Sequence, residues 1–324
     1  MVLGIDVSKA NFDVVLLTDE QSRGVHNVFR NTPKGFKVLR GWLAKQGVQQ
    51  LHACLESTGS YGVGLAEYLV AEGHKVSIVN PRRIKHYAKS RLSRNKTDKQ
   101  DASVIARFCL KECPEPWQPP ALEVKQLKAL VRRLEDLKGL KQQEENRLEA
   151  CLDGAVKDSL TSMLAYLDEQ ITAVEAAINN HIDQHPALKR NAELLESIPG
   201  IGRITAHKLL AEIAFANFAS ARELAAFVGL TPKQNQSGTS LKGRGRLSKI
   251  GSSDLRKALY FPAVNARRFN PVIKSFCQNL LDKGKPMMVV VCAAMRKLLH
   301  LAFGVIKSGR PFDASHLHPS SLAA

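Results

Sequence analysis

An aspartate sits inside an otherwise apolar, strand-like run: Asp6, in VLGIDVSKANFDVVLL. The run reads as one strand, a tight turn over residues 8–11 and a second strand. A carboxylate in such a pattern is costly to bury unless it is paired or binds a metal. Whatever fold forms must therefore give Asp6 a partner. Strand patterns occupy residues 2–6, 12–17, 25–29, 51–55 and 76–79, with room for helices near 33–45 and 62–72. A proline-rich stretch, 113–120, ends this part of the chain.

Three strands, a helix, a strand, a helix, a strand and a further helix make the order of an RNase H-like domain, expected over residues 1–115. Three more acids fall at informative points. Glu56 ends the apolar run LHACLES, while Asp98 and Asp101 stand three apart in NKTDKQDASVIARF, the start of a helix. Residues three apart share a helix face. Phosphodiester cleavage needs positive charge between an attacking and a leaving oxygen, and two Mg²⁺ ions about 4 Å apart supply it in many nucleases. Mg²⁺ takes hard oxygen ligands. Asp6, Glu56, Asp98 and Asp101 are thus candidate ligands for Mg²⁺, with Mn²⁺ as a substitute. Read singly, Glu56 caps the STGSYG turn and the Asp98–Asp101 pair is a solvated helix start. Asp13 is a rival carboxylate, to which the alternation of its neighbours gives a surface reading.

The chain has 324 residues and a formal net charge of +17, which points to a polyanionic partner. The charge is uneven. Residues 1–115 carry 18 Lys/Arg against 11 Asp/Glu, residues 116–196 carry 10 against 14, and residues 197–324 carry 19 against 5. Two basic lobes flank an acidic middle. Six cysteines form no CxxC pair and read as reduced core residues of a cytosolic protein. A zinc site from Cys109 and Cys113 lacks two further ligands, and His181 and His185 fit an exposed helix end. The N-terminus reads as a strand rather than a signal peptide. The longest apolar run, MMVVVCAAM, is too short to cross a bilayer.

In the middle, expected as a separate helical region over residues 116–188, Leu127, Leu130, Leu134 and Leu137 step by three and four. So do Leu160, Leu164, Leu167, Ile171, Val174, Ile178 and Ile182. This period marks two coiled-coil-like helices, with a reversal near Gly154. A hairpin of this length is expected to pair with another subunit; the alternative is folding back on its own domain. The third region, 189–324, opens with ELLESIPGIGRITAHKLLAEI, two helices joined by a tight turn. This resembles a helix-hairpin-helix, whose Gly200 and Gly202 would let backbone N–H groups approach a phosphate. A basic, glycine-rich stretch follows, with Lys233, Lys242, Arg244, Arg246, Lys249 and Arg256. Lys242, Arg244, Arg246 and Lys249 are candidate phosphate contacts. Ser237, before Gly238, reads from composition alone as an ordinary loop serine, as do Ser240 and Ser248.

Taken together, GIDVSK, LESTGSYG, NKTDKQDA, LESIPGIGRITA and FVGLTPKQNQSGTSLKGRGRLSKIGSSDLRKAL resemble, in order and over nearly the whole chain, the DEDD insertion-sequence transposases. That family includes the pilin-gene invertases and bridge-RNA-guided recombinases. The resemblance implies an α/β plus α architecture: a RuvC-like domain, a coiled-coil arm and a mostly helical transposase domain. It implies that Asp6, Glu56, Asp98 and Asp101 are the metal ligands. It also implies that Ser237 is the covalent nucleophile on DNA, with Ser240 as the alternative in the same segment. It further implies donor and target DNA, a guide RNA that chooses them by base pairing, and a dimer or tetramer combining metal site and serine across subunits. The location implied is the prokaryotic cytoplasm, at the nucleoid. Two other readings compete. A RuvC-like Holliday-junction resolvase would direct water and make the serine incidental; a non-catalytic DNA-binding protein would use the carboxylates structurally.

Overall fold

The computed structural model describes the chain except residues 20, 58, 60, 91–96, 234–235, 238–240, 243–245 and 317–324, with backbone alone at 236–237, 241–242, 246 and 316. It divides into two compact units, Met1–Pro119 and Pro120–Ala324.

The first unit is a five-stranded sheet with helices on both faces. Strands β1 (Val2–Val7), β2 (Asn11–Leu17) and β3 (Val25–Arg30) precede helix α1 (Pro33–Lys45). Then come β4 (His52–Glu56), α2 (Val63–Ala71), β5 (Lys75–Val79), α3 (Pro81–Ser90) and α4 (Asp98–Glu112). The sheet order is β3-β2-β1-β4-β5. β2 is antiparallel to β1 and to β3, whereas β4 runs parallel to β1 and to β5. This five-stranded mixed sheet fits the RNase H-like expectation.

Alternation along the strands sorts side chains to two faces. Leu3, Ile5, Phe12, Val14, Ala53 and Leu55 pack with Phe36, Leu39, Leu65 and Leu69 of α1 and α2. Val2, Val15, Leu17 and Cys54 pack with Ile84, Ala102, Ile105 and Ala106 of α3 and α4. α4 lies close on β1 because of Gly4: a Cβ there would fall 2.2 Å from the Ala102 carbonyl and the Ala106 nitrogen. The proline-rich stretch is pinned to β5 rather than loose. The Ser77 hydroxyl lies 2.9 Å from the Pro114 carbonyl and 2.7 Å from that of Glu115, and the Trp117 N–H donates to Val76 at 2.6 Å.

The second unit is helical. α5 (Leu122–Ala150) and α6 (Gly154–Gln184) form a hairpin that reverses over residues 151–153, with Asp153 capping α6. Gly154 thus opens the second helix instead of making the turn. Leu127, Val131, Leu134 and Leu137 are buried on α5, and Leu167, Ile171, Ile178 and Ile182 on α6. The hairpin's inner half belongs to the core of this unit, in one cluster with Leu188, Leu195 and Leu209. α5 is also tied to α8 (Arg203–Glu212): Lys128 and Arg132 meet Glu212 at 2.9 and 3.1 Å, and Lys208 meets Glu135 at 2.5 Å. The outer half buries nothing between Leu137 and Leu167, and Leu140, Leu152, Val156, Met163 and Tyr166 are exposed there.

The remaining elements are α7 (Pro186–Glu196), α9 (Ala221–Val228), four two-residue strands, α10 (Ser253–Phe269), α11 (Pro271–Asp282) and α12 (Met287–Ser308). α12 extends well beyond MMVVVCAAM and is long and apolar enough to cross a membrane. It instead buries Val290, Val291, Ala294, Met295, Leu298 and Leu299 in the core of this unit. The cysteines are free thiols, with Cys54, Cys109 and Cys277 buried and Cys113 exposed. His185 Nδ1 lies 2.6 Å from the His181 carbonyl, and both rings are half-buried at the end of α6 rather than exposed.

Candidate active site

The acidic residues gather where the parallel part of the sheet ends. Asp6 is the residue after Ile5 on β1, and Glu56 the residue after Leu55 on β4; Ile5 and Leu55 are register partners. Asp6 and Glu56 therefore follow the face set by Gly4 and Cys54, the face on which α4 packs. Both lie at the carboxyl ends of strands where the chain has diverged to either side of β1, the place where open α/β sheets hold their ligands. Both are half-buried.

α4 brings the other pair. Thr97 caps it, its hydroxyl accepting from the Gln100 N–H, which starts the helix at Asp98. Asp98 and Asp101 occupy the first turn, immediately before Ala102, the residue that rides over Gly4. The tight seat of Ala102 on Gly4 thus sets the helix start beside Asp6. The electrostatics report the same proximity. Asp6 is pushed up to about 6, first by burial and then by the negative charges of Asp101, Asp98 and Asp13.

Asp13 departs from its surface reading. It is the register partner of Asp6, it is half-buried, and it lies 2.8 Å from His26 Nε2. All four residues from Val14 to Leu17 are buried, so β2 is covered on both faces and offers no solvent side at this point. Two further residues matter that the sequence alone did not single out: His26, and Gly4, whose position inside a strand is itself a sign of close backbone approach.

The donor set is carboxylate oxygen throughout, the chemistry that suits Mg²⁺ or Mn²⁺. The crowding of like charge around Asp6 is what a divalent cation would relieve. The residues fit the group, although among the described residues no three His, Cys, Asp or Glu side chains already converge as a metal cage. Asp98 is exposed and Asp101 half-buried at a helix start.

In the helical unit, the turn between α7 and α8 contains Gly200 at φ +106°, a conformation that favours glycine. A Cβ on Gly200 would fall 2.6 Å from that of Ala266 on α10, so this glycine serves internal packing. Gly202 has open space around it and precedes α8 without a side-chain cap. The basic stretch folds as nested short strands. β6 (Pro232–Lys233) pairs with β9 (Arg246–Leu247) at the base, and β7 (Gln236–Ser237) pairs with β8 (Leu241–Lys242) within it. Ser237 lies opposite Leu241. The side chains of Ser237, Lys242 and Arg246, and residues Ser240 and Arg244 entirely, lie outside the described residues. Lys249 is exposed at φ +53°. Arg256 is structural: it donates to the carbonyls of Val228 at 2.9 Å and Gly251 at 3.1 Å, clamping the base of the stretch.

A family model for DEDD transposases of the IS110 type matches residues 3–157, and a second, the transposase IS116/IS110/IS902 family, matches residues 192–278. The pilin gene-inverting protein of Moraxella lacunata is 37% identical over 96% of this chain and 97% of its own length. The transposase for insertion sequence element IS1328 of Yersinia enterocolitica is 25% identical over 77% of this chain and 82% of its own. The IS1111A transposase of Coxiella burnetii is 24% identical over 80% and 75%. The chain belongs to the IS110 family of DEDD transposases, enzymes that cut and recombine DNA.

Proposed function

We propose that this recombinase moves or inverts its DNA segment by transesterification, with Asp6, Glu56, Asp98 and Asp101 holding Mg²⁺ (or Mn²⁺) and Ser237 as the covalent nucleophile. The crowded acidic face around Asp6, with its raised pKa, carries this reading. When bound, the divalent ions supply positive charge against the scissile phosphate. Asp6, next to the charges of Asp98 and Asp101, would hold the ions together with Glu56, Asp98 and Asp101.

In the first step the Ser237 Oγ attacks phosphorus. An Oγ–P bond forms, a P–O bond to deoxyribose breaks, and the released sugar oxygen takes up the proton that serine loses. One phosphodiester replaces another, so the second strand's hydroxyl can reverse the exchange without an outside energy source. Serine is a poor nucleophile until its alkoxide is stabilised, and the cations that follow Ser237 in the sequence would favour that. Lys242, Arg244, Arg246 and Lys249 hold phosphates near the scissile bond. The helix-hairpin-helix contributes through Gly202 rather than Gly200, which α10 occupies. The net-acidic hairpin acts as a coiled-coil arm pairing subunits into a dimer or tetramer; the apolar residues exposed along its outer half support this. A guide RNA chooses donor and target by pairing, and the protein works in the cytoplasm at the nucleoid.

The test is an adduct trap. Protein is incubated with Mg²⁺, RNA transcribed from the element's flank, and DNA spanning its junction; a denaturation-resistant adduct is then mapped by peptide mass spectrometry. An adduct on Ser237, lost in Ser237→Ala, is expected. An adduct on Ser240 moves the nucleophile, and nicked DNA without adduct replaces transesterification with hydrolysis.

A further inference from the structure

α10 carries a surface that strand exchange at the carboxylates does not use. The helix buries Leu255, Leu259, Pro262, Ala263 and Ala266. Along its other side run Lys257, Phe261, Asn265 and Arg268, all exposed, in steps that keep them on one line. Phe261 and Phe269 are each 72% exposed, whereas Phe12, Phe29, Phe36, Phe108 and Phe215 are buried. The two exposed rings are eight positions apart on the helix, about 12 Å along the axis. The Tyr260 ring meets Phe261 edge-on, with centroids 5.3 Å apart, and steadies it.

The turn before α8 is seated on the same helix. Gly200 abuts Ala266, and Asn270 Nδ2 donates to the Pro199 carbonyl at 3.2 Å. Exposed Gly202, Arg203 and Ile204 therefore lie beside the carboxyl-terminal half of α10, and Ile204 is 62% exposed. Two open aromatic rings and the flanking cations Lys257 and Arg268 thus share the exposed side of α10.

Charge decides what covers it. Residues 197–324 hold 19 Lys/Arg against 5 Asp/Glu, so the same face of a second copy would be repelled. Asp254 is the one acid of α10, and it sits in the first turn, where the helix dipole favours it. The matching occupant is a polyanion that also presents flat apolar groups. A duplex hides its base faces in the stack; an opened strand exposes them, and aromatic side chains hold such bases by stacking while cations track the backbone.

We propose that the Phe261–Phe269 face of α10, edged by Lys257 and Arg268, is a stacking platform for unpaired bases of single-stranded DNA. It rests on the reading of the chain as a DNA recombinase and names the form of DNA this surface takes: the strand opened at the exchange site.

The test measures binding of the full-length chain to a labelled single-stranded DNA oligonucleotide and to the duplex of the same sequence, by fluorescence anisotropy. Phe261→Ala and Phe269→Ala each raise the single-strand Kd about tenfold. The duplex Kd stays within about twofold, because phosphate contacts dominate there. Phe261→Trp keeps single-strand binding. A 2-aminopurine probe in the strand is quenched by the native chain and less by the alanine variants. Equal losses on strand and duplex overturn the platform, as does no loss on either. Loss confined to an RNA strand of the same sequence assigns the surface to RNA and overturns the DNA proposal. A shift in sedimentation of the alanine variants assigns it to a second copy. Asp6→Asn and Ser237→Ala separate this from the catalytic reading: both are expected to lose cutting and keep single-strand binding. If they cut normally while the phenylalanine variants lose the strand, the catalytic reading fails and the platform stands.

Discussion

In the sheet unit like charges are crowded together. Asp6 feels Asp101, Asp98 and Asp13, and its carboxyl is held at about 6. In the helical unit, opposite charges are matched where the hairpin meets α8. Burial works against the Glu212 carboxylate, yet Lys128 and Arg132 more than offset it and hold its pKa below the ordinary value. Lys208, buried to 5% exposure of its side chain, meets Glu135. The matched group explains architecture and needs nothing further. The crowded group is unfavourable as it stands, and such a cost is kept where a site uses it. Elsewhere in the helical unit, Lys233, Lys249, Lys257 and Arg268 stand exposed.

The largest test of this contrast is Asp6→Asn. It replaces one carboxylate oxygen of the crowded group by an amide nitrogen, removes the charge and leaves shape nearly unchanged. Strand cutting is expected to fall about 10³-fold or more, equivalent to roughly 4 kcal/mol of transition-state stabilisation. DNA binding by gel shift stays within about twofold. A variant that cuts at a tenth of the native rate would make Asp6 a structural acid and dissolve the contrast.

Much of the sheet unit is legible in the sequence because its strands alternate and its turns are short. Residues 2–6 were enough to locate β1, which runs Val2–Val7. Asp6 is legible as well, since an aspartate within GID is an anomaly of pattern, whereas acids at a helix start such as Asp98 and Asp101 are common and draw notice only together with it. What escapes is whatever depends on packing between elements. Gly4 shows its purpose only when α4 lies on it. α3 buries only Ile84, so it has no apolar period to find. The two-residue strands around Ser237 are too short to show any period. The hairpin's repeat tells which face is apolar but not what covers it, and the structure divides that face between its own unit and open surface.

Gly4→Ala tests the sheet side next. The added methyl meets backbone at 2.2 Å rather than a yielding side chain. Overpacking of this kind costs roughly 3 kcal/mol. Hydrogen exchange of the full chain should show protection lost over residues 1–119 and retained in the helices of the second unit. Loss spread evenly over both would mean that the units do not unfold separately.

Mild acid tests the helical side. His207 is buried, and burial first, then the charge of Arg203, pushes its pKa down to about 4; His300 is lowered to about 4 likewise. The unfolded chain takes up these protons near 6.5 while the folded chain resists until about 4. Stability from these groups is therefore present above 6.5 and lost as pH falls toward 4. Between pH 7 and 5 His207 alone accounts for about 2 kcal/mol. His207→Leu should flatten the pH dependence of exchange in α8 over that range; an unchanged slope would show that other groups carry it.

Asp6 has the opposite sign, and the effect is small. Its folded pKa of about 6 exceeds the ordinary 3.8. In metal-free protein its contribution to stability is intact below 3.8 and is lost as pH rises through 6. Asparagine carries no charge at any of these values. Asp6→Asn should therefore melt above the native protein at pH 8, with the gap closing toward pH 4. Water screens a half-exposed carboxylate, so the gain is about 1–2 °C. Added Mg²⁺ should close the gap from the other side, raising the native protein and leaving the variant where it was. Melting curves at pH 4, 6 and 8, with chelator and with Mg²⁺, decide it. If Asp6→Asn melts lower at pH 8, the charge at Asp6 is already matched, and the sheet unit's acids belong with the paired charges of the hairpin.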